Sequence, residues 1–339
     1  MLNKITATLA LLLFVLMALP SSYAQSLTMR ISHDSPPGHV RTVTLQTFIK
    51  QVEERSNGQI TVKVYGNGQL FRDRDVLKAL RQGGIEMGLP GYWFVGGLVP
   101  EAAIPMLPAF FGLPPEKAGK LLDGSLSQTV NDRLEKKGKV KTLGRWFTFG
   151  PAQIYSVEKP IKSHADLKGM KIRAPGGTPN VARIIAFGAS PVKITFTDLP
   201  LALSQGSLDA FISANESIVS KKLWDTGIRY SLQDNEFTAA YIPMVSQTFW
   251  KKLTPDLQKM LVDTWDENVD AMREAAKIAD QEALSVLKTK GIEIAVPTQD
   301  QIKAVRNDLL KTQPELVKKM QIDQTVIDQV VSELRELEK

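Results

Sequence analysis

Residues 254–291 read TPDLQKMLVDTWDENVDAMREAAKIADQEALSVLKTKG. Thr254 is a capping residue, Pro255 suits a first helical position, and no further Pro or Gly appears before Gly291. Leu257, Leu261, Trp265, Val269, Met272, Ala276 and Ala279 keep to one stripe. The pattern predicts one helix of about 35 residues, roughly 50 Å long at 1.5 Å per residue. A helix of that length without a coiled-coil partner is too long for one small lobe. It is expected to lie across two domains and tie them together.

Working back from this helix, strands alternate with helices. Leu27 to Ser32 reads as a strand, followed by the breaker Pro36-Pro37-Gly38. Leu45, Phe48, Ile49 and Val52 then fall on one helical face, and Ser56-Asn57-Gly58 ends that segment. Gln59 to Tyr65 alternates as a half-buried strand, Arg72 to Arg81 reads as a helix and Ile85 to Leu89 as a short strand. A second such series starts with strand-like sequence from Val140 to Val157 and a capping-box pattern, Ser163 to Asp166. It continues through a strand at Lys171 to Pro175, a helix at Asn180 to Phe187, a strand at Val192 to Thr195, a helix at Asp198 to Ser204 and a strand at Leu208 to Ser213. After the long helix come a strand at Gly291 to Val296 and two polar helices. Two α/β lobes are therefore expected. Pro90 to Pro115, rich in Gly, Pro and aromatics, is expected to pack on the first sheet, the alternative being a cleft wall.

The chain starts with Lys4, an apolar run from Ile5 to Pro20, and Ser21-Ser22-Tyr23-Ala24. This is the layout of a secretory signal peptide, with cleavage expected after Ala24. The alternative, an uncleaved anchor, is disfavoured because the run falls short of the roughly twenty residues that span a bilayer. The 315 residues that follow exceed the size at which one core usually stops growing, which again points to two domains. The formal charge of +6 includes Lys4, and the basic residues are interspersed with acids. Nucleic acid is therefore not an expected partner, whereas an anionic ligand is permitted. With no cysteine there are no disulfides, no thiol nucleophile and no lipid-anchoring cysteine.

Four segments together resemble the solute-binding proteins of tripartite ATP-independent periplasmic (TRAP) transporters, the DctP type. They are Ser56 to Leu70 with Gly83 to Met87; Asp166 to Pro175; Gly188 to Val192 with Asp198, Ala202-Leu203, Gly206 and Asp209; and Met244 to Ser246 with Phe249 to Leu257. The resemblance covers nearly the whole chain after residue 24. It implies a periplasmic binding protein-like α/β fold, with two lobes joined by hinge strands and the long helix. It also implies a periplasmic receptor that catalyses nothing and hands a small organic acid to a membrane permease; a monomer without cofactor or metal is expected. The lobes are expected at 25–150 with 240–275, and at 151–239 with 276–339.

In that family an arginine clamps the ligand carboxylate, and the matching residue is Arg173 within Lys171-Ile-Arg-Ala-Pro175. A guanidinium offers a planar fork and stays charged at any working pH; from the bare sequence a surface ion pair would be the alternative. An Arg173→Ala change is accordingly expected to abolish ligand-induced stabilisation and leave the unliganded melting temperature nearly unchanged. Two positions depart from the family pattern. Twenty residues before Arg173, where many members carry a second arginine, stands Gln153, and the usual asparagine position holds Ser213, with Asn215 close by. A monocarboxylate with a hydroxyl, keto or apolar tail is therefore expected rather than a C4-dicarboxylate. Further candidates are His33 and Asp34 at the end of the first strand, where loop capping is equally plausible, and Tyr92, Trp93 and Trp146 as cleft wall or core. Glu216 could bind a cation, pair with Arg173, or simply start a helix.

The rival is a secreted hydrolase. Its motifs are missing: there is no Gly-x-Ser-x-Gly elbow, no His-Glu-x-x-His pair and no P-loop. Histidines stand only at 33, 39 and 164, and neither His39 nor His164 has an evident partner in the sequence. A binding protein that feeds a sensor or another importer class remains a third reading.

Overall fold

The computed structural model describes residues 26–336; the expected leader, 1–24, lies outside them. The strands in chain order are β1 (Leu27–Ser32), β2 (Ile60–Tyr65), β3 (Met87–Gly88), β4 (Val140–Thr142), β5 (Phe147–Ser156), β6 (Lys171–Ala174), β7 (Ser190–Lys193), β8 (Ala210–Ser213), β9 (Tyr230–Tyr241), β10 (Met244–Ser246) and β11 (Glu293–Ala295). The main helices are α1 (Val40–Arg55), α2 (Asp73–Arg81), α3 (Pro115–Leu122), α4 (Ser125–Gly138), α5 (Thr178–Ala186), α6 (Leu199–Ser204), α7 (Asn215–Ser220), α8 (Pro255–Thr289), α9 (Gln299–Leu310), α10 (Gln313–Met320) and α11 (Gln324–Glu336).

Each lobe is built on one sheet. The first has the order β2-β1-β3-β10-β4, with β1 parallel to β2 and β3, and β10 antiparallel to β3 and β4. The second has the order β11-β9-β5-β8-β6-β7. Two connections join the sheets, residues 143–146 between β4 and β5 and residues 242–243 between β9 and β10. They lie side by side, with Leu143 N–H donating to the Pro243 carbonyl at 3.0 Å and Ile242 N–H to that of Pro90 at 3.1 Å. Short paired connections of this kind are where φ/ψ changes between two bodies concentrate.

The third link is α8, a single helix of 35 residues as its stripe predicts, with the Thr254 hydroxyl accepting from Leu257 N–H at 3.3 Å. It buries Leu261, Trp265, Val269 and Ala276 completely and packs on α1 of the first lobe and on β5 and α7 of the second. Trp265 fixes its position, meeting Phe48 edge-to-face at 5.5 Å while its indole N–H donates to the Arg145 carbonyl at 2.8 Å.

The structure corrects three expectations. The strand-like run from Val140 to Val157 breaks at residues 143–146, where Gly144 takes φ +102°, so one half serves each sheet. Three helices, not two, finish the chain; α9 lies on the Pro108–Phe110 turn and α11 on α3 and α4. The longest strand, β9, has no counterpart in the periodicity, because Gln233-Asp234-Asn235-Glu236 interrupts its alternation. Those four residues are a bulge: the β9 partners of β5 step from Leu232 to Phe237 while β5 moves only from Ile154 to Ala152. Pro90 to Pro115 forms three short 3-10 turns, mostly buried, as its composition suggests. Among the described residues, no helix is long and apolar enough to cross a membrane.

Candidate functional site

The pleat of β9 sends Phe237, Ala239 and Tyr241 to one face, and there, with Phe149 and Ala152 of β5, they form the floor of a cavity of about 50 Å3 between the lobes. Trp93 and Phe94 close one side from the Tyr92–Phe94 turn, and Phe196 closes another from the loop after β7. Trp93 meets Tyr241 and Phe237 edge-on at 5.4 and 5.9 Å, so the aromatic wall is self-supporting. Polar groups enter at a few points only: Arg173 from β6, Ser213 from β8, Ser217 from α7, Asp34 after β1 and Asp73 at the start of α2.

Arg173 is 3% exposed and held by the chain itself. Its Nε donates to the Ile194 carbonyl and its Nη1 to that of Ile212, both at 2.8 Å. Among the described residues Nη2 has no hydrogen-bond partner. Burial brings the guanidinium down to about 10, against the pull of Asp34 and Tyr241, which leaves it cationic at neutral pH. The result is a fixed, half-satisfied donor on an apolar cavity, an arrangement able to take a hydrogen-bond acceptor such as a carboxylate with little side-chain entropy left to lose.

Behind the Tyr241 ring lies a second buried guanidinium with a different job. Arg41 is fully buried and stacks over the Tyr241 ring at 3.9 Å. It pairs with Asp34, stands 3.6 Å from Asp73, and donates to the Ser35 hydroxyl at 3.0 Å and the Leu89 carbonyl at 3.2 Å. Every side of this group is occupied within the protein. Burial and the neighbouring Asp34 push the Asp73 carboxyl up to about 8, and its Oδ1 has no hydrogen-bond partner.

Of the residues expected at the site, the structure brings Arg173, Asp34, Trp93 and Ser213 to the cavity. It does not bring Gln153, Asn215, Glu216, His33 or Tyr92. Gln153 alternates to the far side of β5 from Ala152. There its Oε1 accepts from Asn235 N–H and its Nε2 donates to Asn235 Oδ1, both at 2.9 Å. Asn235 has φ +52°, so the amide stabilises the bulge of β9. Asn215 bonds the Tyr155 hydroxyl, Gln233 at 3.1 Å and Asp280 of α8 at 3.1 Å. The Tyr92 hydroxyl donates to the Thr238 carbonyl at 3.0 Å, and its ring stacks on the buried Trp146 at 5.9 Å. His33 caps its own loop, with Nδ1 accepting from Ser35 N–H at 3.2 Å.

Both histidines without an evident sequence partner have one in space. His164 Nε2 is 2.9 Å from Asp234, beside the buried Arg183–Glu236 pair at 2.7 Å, on the opposite face of β9 from the cavity. His39 Nε2 stands 3.1 Å from Glu216 and 3.4 Å from the Ser217 hydroxyl. This is no hydrolytic triad. A triad needs acid and nucleophile on opposite ring nitrogens, whereas here both share Nε2 and Nδ1 already accepts from Arg41 N–H at 3.1 Å. Among the described residues no three His, Asp or Glu side chains are grouped so as to hold a metal ion. Sequence reading missed Tyr241, Phe237, Phe149, Phe196 and Asp73; the alternation Phe237-x-Ala239-x-Tyr241 was the one signal available for the first two.

The buried charges set a pH dependence. Burial raises Asp73 to about 8, Glu216 and Glu236 to about 7 and Asp280 to about 6. A carboxyl that is raised in the folded state contributes stability below its unfolded value, near 4, and loses it as pH climbs through the folded value. Burial lowers His33 to about 3 and His39 well below its usual value, and these groups act oppositely, losing stability as pH falls below about 6.5. Above pH 6.5 only the carboxyl loss remains. Thermal unfolding should therefore show a melting temperature that falls between pH 6.5 and 8.5, with a slope near pH 7 on the order of 2 kcal/mol per pH unit. A flat or rising profile there would contradict the burial of these carboxyls.

Comparison with known proteins follows the same lines. The family model for DctP, bacterial extracellular solute-binding protein family 7, matches residues 31–320. The 2,3-diketo-L-gulonate-binding periplasmic protein YiaO of Escherichia coli is 25% identical over 85% of this chain and 87% of its own length. The C4-dicarboxylate-binding protein DctB of Bacillus subtilis is 27% identical over 77% of this chain and 74% of its own. The crystal structure of the sugar acid binding protein of Advenella mimigardefordensis in complex with galactonate superposes with a TM-score of 0.86 at 20% identity, covering 92% of this chain and 98% of that one.

Proposed function

This chain belongs to the DctP family, bacterial extracellular solute-binding proteins of family 7, and from that premise we propose that the small acid it captures for a TRAP transporter is a monocarboxylate. The observation that carries this reading is the single free prong of Arg173 in a cavity otherwise walled by aromatic rings. One unpaired donor edge suits one carboxylate. The second buried guanidinium, Arg41, lies beneath the Tyr241 ring outside the cavity lining and is already matched by Asp34, so it offers a second carboxylate no free cation. The aromatic walls favour an acid whose remainder is a keto, hydroxyl or apolar tail. Relatives named for diketogulonate and galactonate, each with one carboxylate, are compatible with this reading; those named for C4-dicarboxylates mark the alternative.

Family membership supports the rest of the reading. The protein acts in the periplasm as a monomer and delivers its acid to the membrane permease subunits. It is not an enzyme, a view supported by the wrong geometry of His39 for nucleophilic catalysis. Its lobes close on the acid about the paired connections and α8; the expected cuts at 150/151 and 239/240 move to those connections, residues 143–146 and 242–243, because β5 and β9 belong whole to the second sheet.

A thermal-shift panel of pyruvate, lactate, galactonate, succinate and malate tests the ligand class. At about a hundredfold excess over Kd, binding adds roughly 2.7 kcal/mol of stability, so a bound acid shows as a clear rise in melting temperature. The monocarboxylates are expected to give the larger rises, with each acid recovered unchanged. Larger rises with succinate or malate would reject the monocarboxylate reading, and product formation would reject a pure binder.

A further inference from the structure

Glu216 opens the first turn of α7 yet is 6% exposed and reaches away from the cavity. Its Oε1 accepts from the backbone N–H of Val40, the first residue of α1, at 2.9 Å, and its Oε2 stands 3.1 Å from His39 Nε2. Because His39 Nδ1 accepts from Arg41 N–H, the ring proton sits on Nε2, whose hydrogen-bond partner is the Ser217 hydroxyl, while Glu216 Oε2 has no hydrogen-bond partner among the described residues. Burial keeps that ring neutral. The ring also stacks on Phe149 at 4.8 Å and stands edge-on to Phe196 at 6.5 Å, and both phenylalanines line the cavity. On the other side, Glu216 N–H donates to Asp280 Oδ1 of α8 at 3.2 Å. One carboxylate thus touches the first lobe through α1, and its helix is anchored to the interlobe helix.

We propose that Glu216 is a positioning residue for ligand capture: its carboxyl group fastens the start of α1, on one lobe, to α7 on the other, and so sets how long the cavity stays shut around a bound acid. Opening the lobes separates residues 39 and 40 from 216 and returns the carboxylate to water. Shutting them buries it again among His39 and Arg41 of α1, Asp280 of α8 and Tyr241 of β9, with Lys221 just beyond its own helix. Burial in the shut form pushes this carboxyl up to about 7. Shutting therefore takes up a proton between the ordinary carboxylate range and that value, and the shut form gains as pH falls. Leaving a buried N–H such as that of Val40 without its acceptor is worth about five- to a hundredfold in a dissociation constant.

This inference rests on the small-acid receptor reading, and its test separates the two. Association and dissociation rates are measured by stopped flow on the protein lacking residues 1–24, with pyruvate and galactonate as probes. Glu216→Ala is expected to raise the dissociation rate about tenfold or more and leave the association rate within about twofold. Glu216→Gln keeps an acceptor for Val40 N–H but cannot titrate. It is expected to dissociate at close to the wild-type rate at pH 6 and to lose the several-fold acceleration that the wild type shows between pH 6 and 8. A merely structural role would lower the melting temperature of both variants and leave the two pH profiles parallel. If the wild type binds either probe and Glu216→Ala dissociates no faster, or if Glu216→Gln keeps the wild-type pH profile, the strap is overturned and the receptor reading stands. If the wild type binds neither probe, the receptor reading for these acids fails, and this inference with it.

Discussion

Replacing Arg173 with alanine is expected to remove carboxylate binding altogether at millimolar concentrations of any acid in the panel. The guanidinium is buried, its Nε and Nη1 are spent on the Ile194 and Ile212 carbonyls, and Nη2 is the donor left for a ligand. Truncating one partner of a desolvated, hydrogen-bonded charge pair typically costs about 2–5 kcal/mol, or between thirtyfold and several thousandfold in Kd. Isothermal titration should show no heat above dilution with pyruvate or galactonate, while Arg173→Lys, which keeps the charge but not the planar fork, should retain weakened binding. Measurable affinity within tenfold of wild type in Arg173→Ala would dismiss the clamp. The structure also revises the expectation that the unliganded protein melts unchanged. The substitution strips two carbonyls of their donors, each worth about 1–3 kcal/mol if it stays dry, so the melting temperature should fall by a few degrees.

Arg41→Met is expected to be the more damaging change, though the residue offers a ligand nothing. It is fully buried and holds Asp34, Asp73, Ser35 and the Leu89 carbonyl together beneath the aromatic floor. Removing one member of a buried ion pair costs about 3–5 kcal/mol, because the partner charge is left without compensation. Here Asp34 loses its counter-ion outright, and Asp73 is already close to neutral because burial raises its carboxyl to about 8. Chemical denaturation should show a midpoint lowered by that amount. Adding Asp34→Asn to Arg41→Met should restore part of the loss, since the two sites share one interaction. Strictly additive losses in the double variant would mean that the pair is not coupled as the geometry indicates.

Much of the framework was legible without coordinates, and the reasons are local. Thr254-Pro255 and a seven-residue apolar stripe specify α8 because capping and 3.6-residue periodicity act within a few turns. β1 and β2 announce themselves by composition and alternation. β9 does not, because its bulge places Gln233 to Glu236 where alternation should run, and the residues that make the bulge tolerable, Gln153 and Gly112, lie 80 or more positions away. The same gap explains Gln153, which counting along the chain places at the ligand and folding places behind the strand.

What the sequence determined by itself was most of the succession of strands and helices, the one helix long enough to bind two lobes, and, through the resemblance of its segments, an arginine that the fold brings to the cavity. Only the tertiary structure decided which side chains share the cavity, that Arg41 is spoken for and Arg173 is not, and that Glu216 closes on α1 rather than on a ligand. The physical reason is one of range. Periodicity and capping are written in neighbouring residues, whereas desolvation and charge pairing depend on groups such as 34 and 41 against 73, or 39 against 216, that meet only when both sheets have formed.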